Sequence, residues 1–84
     1  MRLVWEPAAL QDLEEAAAWS QSQAAAVVEA MERMATIGWS LGKPRRRLGI
    51  RYWPVPPLGV FYRQVGDELR VLQVVDVHRL LDAP

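Results

Sequence analysis

A predicted β-hairpin in the second half of the chain constrains the fold more than any other feature. Two runs rich in Val, Leu, Phe and Tyr, Leu58–Val65 and Leu69–Arg79, flank a turn at Gly66 and Asp67. Glycine tolerates a positive φ and an Asp side chain bonds nearby backbone, so this pair suits a tight turn. Apolar residues occupy both parities of the second run: Leu69, Val71, Val75 and Val77 on one, Leu72 and Val74 on the other. That pattern predicts a central strand covered on both faces.

The first part of the chain predicts a strand followed by a helix. The segment 2–5 is short and apolar in its middle, and Pro7 suits the first turn of a helix. Apolar residues then recur at helical spacing up to Trp19: Leu10, Leu13 and Ala17. Acidic residues occupy most of the other positions, so we expect an amphipathic helix with an acidic first half.

A second helix is predicted to begin at Ser20, because Ser20 and Gln23 match a capping box. Gly38 provides its end. Between them an apolar stripe keeps the helical period: Ala24, Val27, Val28, Met31, Met34 and Ala35. The two helices are therefore expected to form an antiparallel pair.

The segment 38–47 is predicted to be a loop, and the segment 48–53 a strand. Three prolines are expected to end that strand and to place it at a sheet edge: Pro54, Pro56 and Pro57. The order β-α-α-β-β-β predicts an α+β fold, in which two antiparallel helices cover one face of a mostly antiparallel four-stranded sheet. Residues 1–84 are predicted to form one domain.

Composition excludes several classes of site. The 84 residues contain no Cys and one His, which argues against a disulfide framework and a thiolate-based or histidine-based metal site. We therefore predict no cofactor and no metal. No apolar run approaches the roughly 18 residues of a membrane span. Acids at Glu6 and Asp12 are unlike a signal peptide, so a cytoplasmic protein without membrane contact is expected.

The net charge of zero conceals a segregation of charge along the chain. Residues 1–32 hold one Arg and six acids, residues 33–66 hold seven bases and no acid, and residues 67–84 hold four acids and two Arg. This pattern predicts a dipolar molecule with one basic surface, which would attract an acidic partner or a phosphate backbone. A nucleic-acid binder is usually basic overall, which this chain is not.

Six arginines are predicted to contact a partner or target: Arg45, Arg46, Arg47, Arg51, Arg63 and Arg79. The first three form a dense cluster that suits carboxylates or phosphates, or alternatively a solvated loop that contacts nothing. The other three lie on predicted strands or at their ends. There the alternative is a structural ion pair with Glu or Asp.

His78 and Arg79 are the candidates for catalysis, because histidine, with an ordinary pKa of about 6.5, suits acid-base chemistry on a phosphodiester. The alternative for His78 is a surface or capping role. The four tryptophans are predicted to fill the core. Trp39 and Trp53, which flank the basic loop, are also candidates for contact with a ligand.

Three groups of residues form a series along the chain: Asp12-Leu13 with Trp19 and Ala24-Ala25; residues 51–55 with residues 60–63; and residues 72–75 leading to Arg79. In order and spacing they resemble the RelE/ParE superfamily of bacterial toxin-antitoxin toxins over nearly the whole chain. The second and third groups are similar to its ParE branch.

The resemblance implies a toxin that inhibits a cellular target, DNA gyrase for ParE members, and that a protein antitoxin neutralises. A homodimer or a heterotetramer with the antitoxin is expected. One alternative is a RelE-type ribosome-dependent mRNA endonuclease, whose basic residues surround the scissile phosphate. Where that pattern has bases, this chain has Tyr52, Pro54 and Gly59, and it matches only at Arg79.

Another alternative is an inactive binding member of the family. Gln73 and Asp76 stand where the ParE branch often has a base and a histidine. The resemblance therefore leaves open both the target and the toxicity of this chain.

Overall fold

In the computed structural model, residues 1–37, 43–44 and 49–76 are described. The elements are, in order, β1 (Arg2–Trp5), α1 (Pro7–Trp19), α2 (Gln21–Ile37), β2 (Lys43–Pro44), β3 (Arg51–Val55), β4 (Leu58–Val65) and β5 (Glu68–Asp76). The strands form one sheet in the order β1-β5-β4-β3-β2, in which only the β1-β5 pair is parallel. The predicted α+β fold is confirmed, and β2 adds a two-residue edge strand within the predicted loop.

One residue, Ser20, ends the first helix and begins the second. As the C-cap of α1, it donates its backbone N–H to the carbonyl oxygen of Ala16 at 2.8 Å. Its Oγ accepts from the backbone N–H of Gln23 at 3.3 Å, which satisfies one of the free donors at the start of α2. The predicted cap by Ser20 is confirmed, but the reciprocal bond of a capping box is replaced, because the Ser20 N–H donates to Ala16 instead of to the Gln23 side chain. The one-residue connection makes the helices neighbours.

The buried face of α1 is rotated from the predicted one. Ala9 and Ala16 are buried and Leu13 packs against the core, whereas Leu10 is 46% exposed. The prediction that Leu10 belongs to the apolar face is therefore wrong. The cause is Asp12, whose carboxylate faces the sheet and places its own side of the helix inward.

The β4-β5 hairpin forms as predicted, with Gly66 at φ +62° in its turn. Tyr62 pairs with Val71 and Phe61 pairs with Gln73, so Leu72 is an extra residue in β5. This β-bulge shifts the alternation of side chains by one position. Three residues of different parity therefore share the buried face: Leu69, Val71 and Val74.

The central position of β5, between β1 and β4, is confirmed. The prediction that apolar residues cover both of its faces is wrong. Its second face carries half-buried or exposed residues, among them Glu68, Arg70 and Gln73. The mixed parity in the sequence reflects the bulge rather than a second buried layer.

The core lies between the helices and the inner face of the sheet. Its largest fully buried side chains are Tyr62, Met31, Leu69, Val27, Val60 and Val71. The predicted stripe of α2 is confirmed except at Val28, which is half-buried. Burial of each large apolar side chain contributes about 1.5–3 kcal/mol.

The strand β3 begins later than predicted, at Arg51. It also ends later, because Pro54 lies inside it and pairs with Gly59. Among the described strands, β3 has the predicted edge position except where β2 pairs with its first two residues, Arg51 and Tyr52. A sheet edge tolerates proline, whose missing N–H costs no ladder bond there. A cis peptide bond joins Pro56 and Pro57 in the connection to β4.

Among the described helices, neither is long and apolar enough to cross a bilayer.

Because β1 is short, α1 supplies a hydrogen-bond partner for part of the backbone of β5. β1 pairs only with residues 68–71, and the chain then leaves the sheet where the N–H of Glu6 donates to the carbonyl oxygen of Val71 at 2.9 Å. Beyond that point the N–H of Val74 donates to Oδ2 of Asp12 at 3.0 Å. The carboxylate supplies the acceptor that a longer β1 would have provided, since unsatisfied backbone donors are costly in a partly buried position.

Replacement of Asp12 by Ala removes this acceptor. We expect a loss of about 1.5–3 kcal/mol in the free energy of unfolding, the range for a hydrogen bond to a charged group. Urea denaturation measures it, with the exposed Glu14→Ala on the same helix as the control. Equal midpoints for the two variants would contradict this role of Asp12.

Candidate functional site

The structure describes two of the six arginines predicted to contact a partner. Arg51 is half-buried and pairs with Tyr62, whose side chain is in the core, so Arg51 lies on the helix-covered face of the sheet. Arg63 is exposed and pairs with Arg70 on the opposite face. The two are therefore not brought together on one surface.

The remaining candidates lie outside the described residues: Arg45, Arg46, Arg47, His78 and Arg79. Their roles stay predictions. Trp39 also lies outside the described residues, while Trp53 packs against the core, as Trp5 does.

The face of the sheet opposite the helices, hereafter the open face, carries an ionic network at its β1 side. The Arg70 guanidinium contacts Oε1 of Glu68 at 2.9 Å through one nitrogen and Oε1 of Glu6 at 3.0 Å through another. Arg2 forms a further ion pair with Glu68. The network joins β1, the start of α1 and β5 in one charged cluster.

The network shifts the titration of two of its members. Hydrogen bonds from Arg2 and then Arg70 lower the pKa of Glu68 below its ordinary value of 4.5. Hydrogen bonds to Glu6 and then Glu68 raise the pKa of Arg70 above its already high value. Opposite charges favour the ionised form of each group, so both remain charged at neutral pH.

Arg63 stands beside this network without joining it. It lies across from Arg70, a like charge, and within the described residues no carboxylate pairs with it. Of the two predicted contact arginines that the structure describes, Arg63 is the exposed one, and it lies on the open face. Its role in binding stays a prediction.

The centre of the open face is aromatic and uncharged. The rings of Tyr52 and Phe61 lie with centroids 5.1 Å apart and planes tilted by 50°, a geometry that aromatic pairs prefer. A Cβ atom on Gly59 would overlap the Tyr52 ring and hydroxyl, so the ring covers this glycine. Pro54, which pairs with Gly59, lies beside them. We call these four residues the aromatic patch.

A cleft of about 380 Å³ lies between α1 and the end of β5, on the side where β1 has already stopped. Residues of α1, β4 and β5 line it: Asp12, Glu15, Ala16, Trp19, Leu58, Gln73, Val74, Val75 and Asp76. The Trp19 side chain is 56% exposed at this site. The prediction that all four tryptophans fill the core is wrong for Trp19.

Sequence reasoning missed this cleft because its parts are far apart in the chain. Trp19 is the last residue of α1, directly before Ser20, which ends the helix. This terminal position was a sign that the Trp19 ring need not enter the core. The bulge that presents this end of β5 had no recognisable signature. Within the described ranges, no group of three His, Cys, Asp or Glu side chains is placed to hold a metal ion.

The lowered pKa of Glu68 makes stability depend on pH. A carboxylate whose pKa is lower in the folded than in the unfolded state stabilises the fold above the unfolded value. That contribution is lost as the pH falls through the folded value. We expect Glu68→Gln to be less stable than the unsubstituted protein at pH 7, and the difference to shrink below about pH 4.5.

Urea denaturation at several pH values measures this difference. Exposed Glu29→Gln on α2 is the matched control and should show little effect at any pH. A deficit for Glu68→Gln that stays constant down to about pH 3 would contradict the assignment.

The contact between Tyr52 and Gly59 predicts coupling between the two positions. Gly59→Ala forces the Tyr52 ring to move, and we expect it to cost about 1–3 kcal/mol of unfolding free energy. In a Tyr52→Ala background the same change should cost far less, because the new methyl group then has space. A double-mutant cycle from denaturation curves measures the coupling, and strictly additive effects would contradict it.

Comparison with known proteins identifies the family to which this chain belongs. The model of the family described as the ParE toxin of type II toxin-antitoxin system, parDE, matches residues 3–80. The solved structure titled "Chromosomal ParDE TA system from P. aeruginosa" is similar with a TM-score of 0.77 at 19% identity, covering 90% of this chain and 95% of that one. No curated protein matches the sequence. Because the family match spans nearly the whole chain, the chain belongs to the ParE toxin family of type II toxin-antitoxin systems.

Proposed function

We propose that this toxin acts by binding, inhibiting DNA gyrase as its cellular target, and that a protein antitoxin neutralises it by wrapping over its surface. The family match supports the toxin class. The observation that favours binding over RNA cleavage is the aromatic patch. Tyr52, Pro54 and Gly59 stand where the RelE-type pattern has bases, and they meet on the open face.

Cleavage of a phosphodiester bond needs several cations near the charge that develops on the phosphate. On the described part of the open face, Arg2 and Arg70 are held by the carboxylates of Glu68 and Glu6. Their positive charge is thus largely neutralised. A phosphate on this face would meet the exposed Arg63 beside an aromatic patch, which suits contact with a surface better than catalysis.

The second candidate is a RelE-type ribosome-dependent mRNA endonuclease. The observation in its favour is the exposed Arg63 on the open face, which pairs with no carboxylate among residues 1–37, 43–44 and 49–76. By the resemblance, Arg79 would be a further cation of that site. The third candidate is an inactive binding member of the family, which would occupy an antitoxin without harming the cell.

Controlled expression in a bacterial host tests the proposal. We expect growth to stop on induction, and co-expression of the adjacent small gene to restore it. Arrest that the neighbour relieves supports the toxin-antitoxin pair. Normal growth with a folded protein would favour the inactive member instead.

Two assays with purified components then distinguish DNA gyrase from ribosome-bound mRNA as the target. We expect the toxin to inhibit the supercoiling activity of DNA gyrase and to leave mRNA on translating ribosomes uncut. Arg63→Ala serves in both assays, with Arg33→Ala on the exposed side of α2 as the matched control. RNA ends that appear with the unsubstituted protein and disappear with Arg63→Ala would overturn the binding mechanism in favour of the nuclease.

The assembly is tested by the mass of the complex purified after co-expression. We propose a heterotetramer of two toxins and two antitoxins, with a toxin homodimer as the alternative in the absence of antitoxin. Multi-angle light scattering at several concentrations distinguishes these states from a simple pair.

A further inference from the structure

The cleft between α1 and β5 exists because β1 is shorter than β5, the strand with which it pairs. β1 pairs with residues 68–71, but β5 continues to Asp76. α1 crosses the space that a longer β1 would fill, and the Asp12 carboxylate hydrogen-bonds to β5 there. Among the described residues, a cleft remains beside this contact.

The walls of the cleft combine an aromatic ring with an apolar floor. Trp19 keeps 56% of its surface exposed, whereas indole rings are usually well buried in small domains. Leu58 and Val74 are buried beneath the cleft, and Val75 is half-buried at its side. An aliphatic stem would therefore find apolar contact along the floor.

The rim of the cleft is acidic. Three of the residues that line it carry carboxylates, Asp12, Glu15 and Asp76, and none of the lining residues that the structure describes is basic. Within the described residues, the Glu15 carboxylate pairs with no cation. Phosphates and acidic peptides are thus disfavoured here, whereas a cation is attracted.

We propose that this cleft binds an arginine or lysine side chain presented by the protein antitoxin. The charged group lies against the face of Trp19 and pairs with Glu15, and its aliphatic stem covers the apolar floor. A volume of about 380 Å³ exceeds that of one such side chain, so neighbouring residues of the same segment enter with it. The identity of the partner rests on the proposed function, whereas the chemistry of the cleft does not.

The test uses the complex of this chain with the product of the adjacent small gene, measured by calorimetric titration. We expect Trp19→Ala and Glu15→Lys each to weaken binding by about fivefold or more. Glu14→Lys is the matched control, because it changes the same charge on an exposed neighbouring position of α1. Thermal midpoints confirm that each variant is folded.

A scan of the arginines and lysines of that gene product identifies the occupant. We expect one neutral substitution in it to remove most of the difference between the unsubstituted toxin and Glu15→Lys, as a double-mutant cycle requires. If the unsubstituted complex forms and both cleft variants bind within twofold of it, the inference is wrong although the proposed function stands.

A second measurement is independent of toxicity and of the neighbouring gene. The peptide acetyl-Leu-Arg-Leu-amide, but not its citrulline counterpart, should shift the NMR signal of the Trp19 indole N–H at millimolar concentration. Glu15→Gln should reduce that shift. Equal shifts with both peptides, or none with either, would overturn the proposed chemistry. Self-association of the toxin that Glu15→Lys abolishes would instead assign the cleft to a second copy of the chain.

Discussion

The hydrogen bond between Asp12 and the backbone of Val74 is the contact on which the arrangement of the fold depends. It joins α1 to the end of β5, beyond the residues 68–71 with which β1 pairs. Because the carboxylate must face the sheet, α1 buries Ala9 and Ala16 and leaves Leu10 in solvent. The same rotation places Glu15 and Trp19 along the cleft. One polar contact thus sets both the packing of the helix and the site beside it.

The two faces of the sheet have different chemistry because both helices pack on one of them. The covered face holds the core, with Tyr62 and Met31 at its centre. The open face divides into an ionic network at β1 and the aromatic patch toward β3. Surface ion pairs contribute little stability individually, but this network connects elements distant in sequence and neutralises the cations on its side. On the described part of this face, Arg63 remains available beside the aromatic rings.

The described part of the molecule presents two surfaces of opposite charge. An acidic cleft lies near α1, and Arg63, with no carboxylate partner among the described residues, lies on the open face. A protein that wraps around the toxin would meet both surfaces and would need both signs of charge to match them. Small toxins of marginal core size gain stability from such a partner, because binding to the folded state alone shifts the folding equilibrium.

By itself the sequence determined the order of elements apart from the short strand β2, the turn at Gly66, the cap at Ser20 and the buried stripe of α2, since each depends on local periodicity or local hydrogen bonding. The resemblance to the ParE branch could also be recognised from the chain alone.

Only the tertiary structure decided the bulge at Leu72, the rotation of α1, the exposure of Trp19 and the separation of Arg51 from Arg63. The rotation of α1 and the exposure of Trp19 arise from contact between segments about 60 residues apart, as between Asp12 and Val74. The bulge and the separation of the two arginines arise from the register between neighbouring strands. Strand register and helix rotation depend on which backbone and side-chain groups form hydrogen bonds between different elements. No local sequence pattern predicts that pairing.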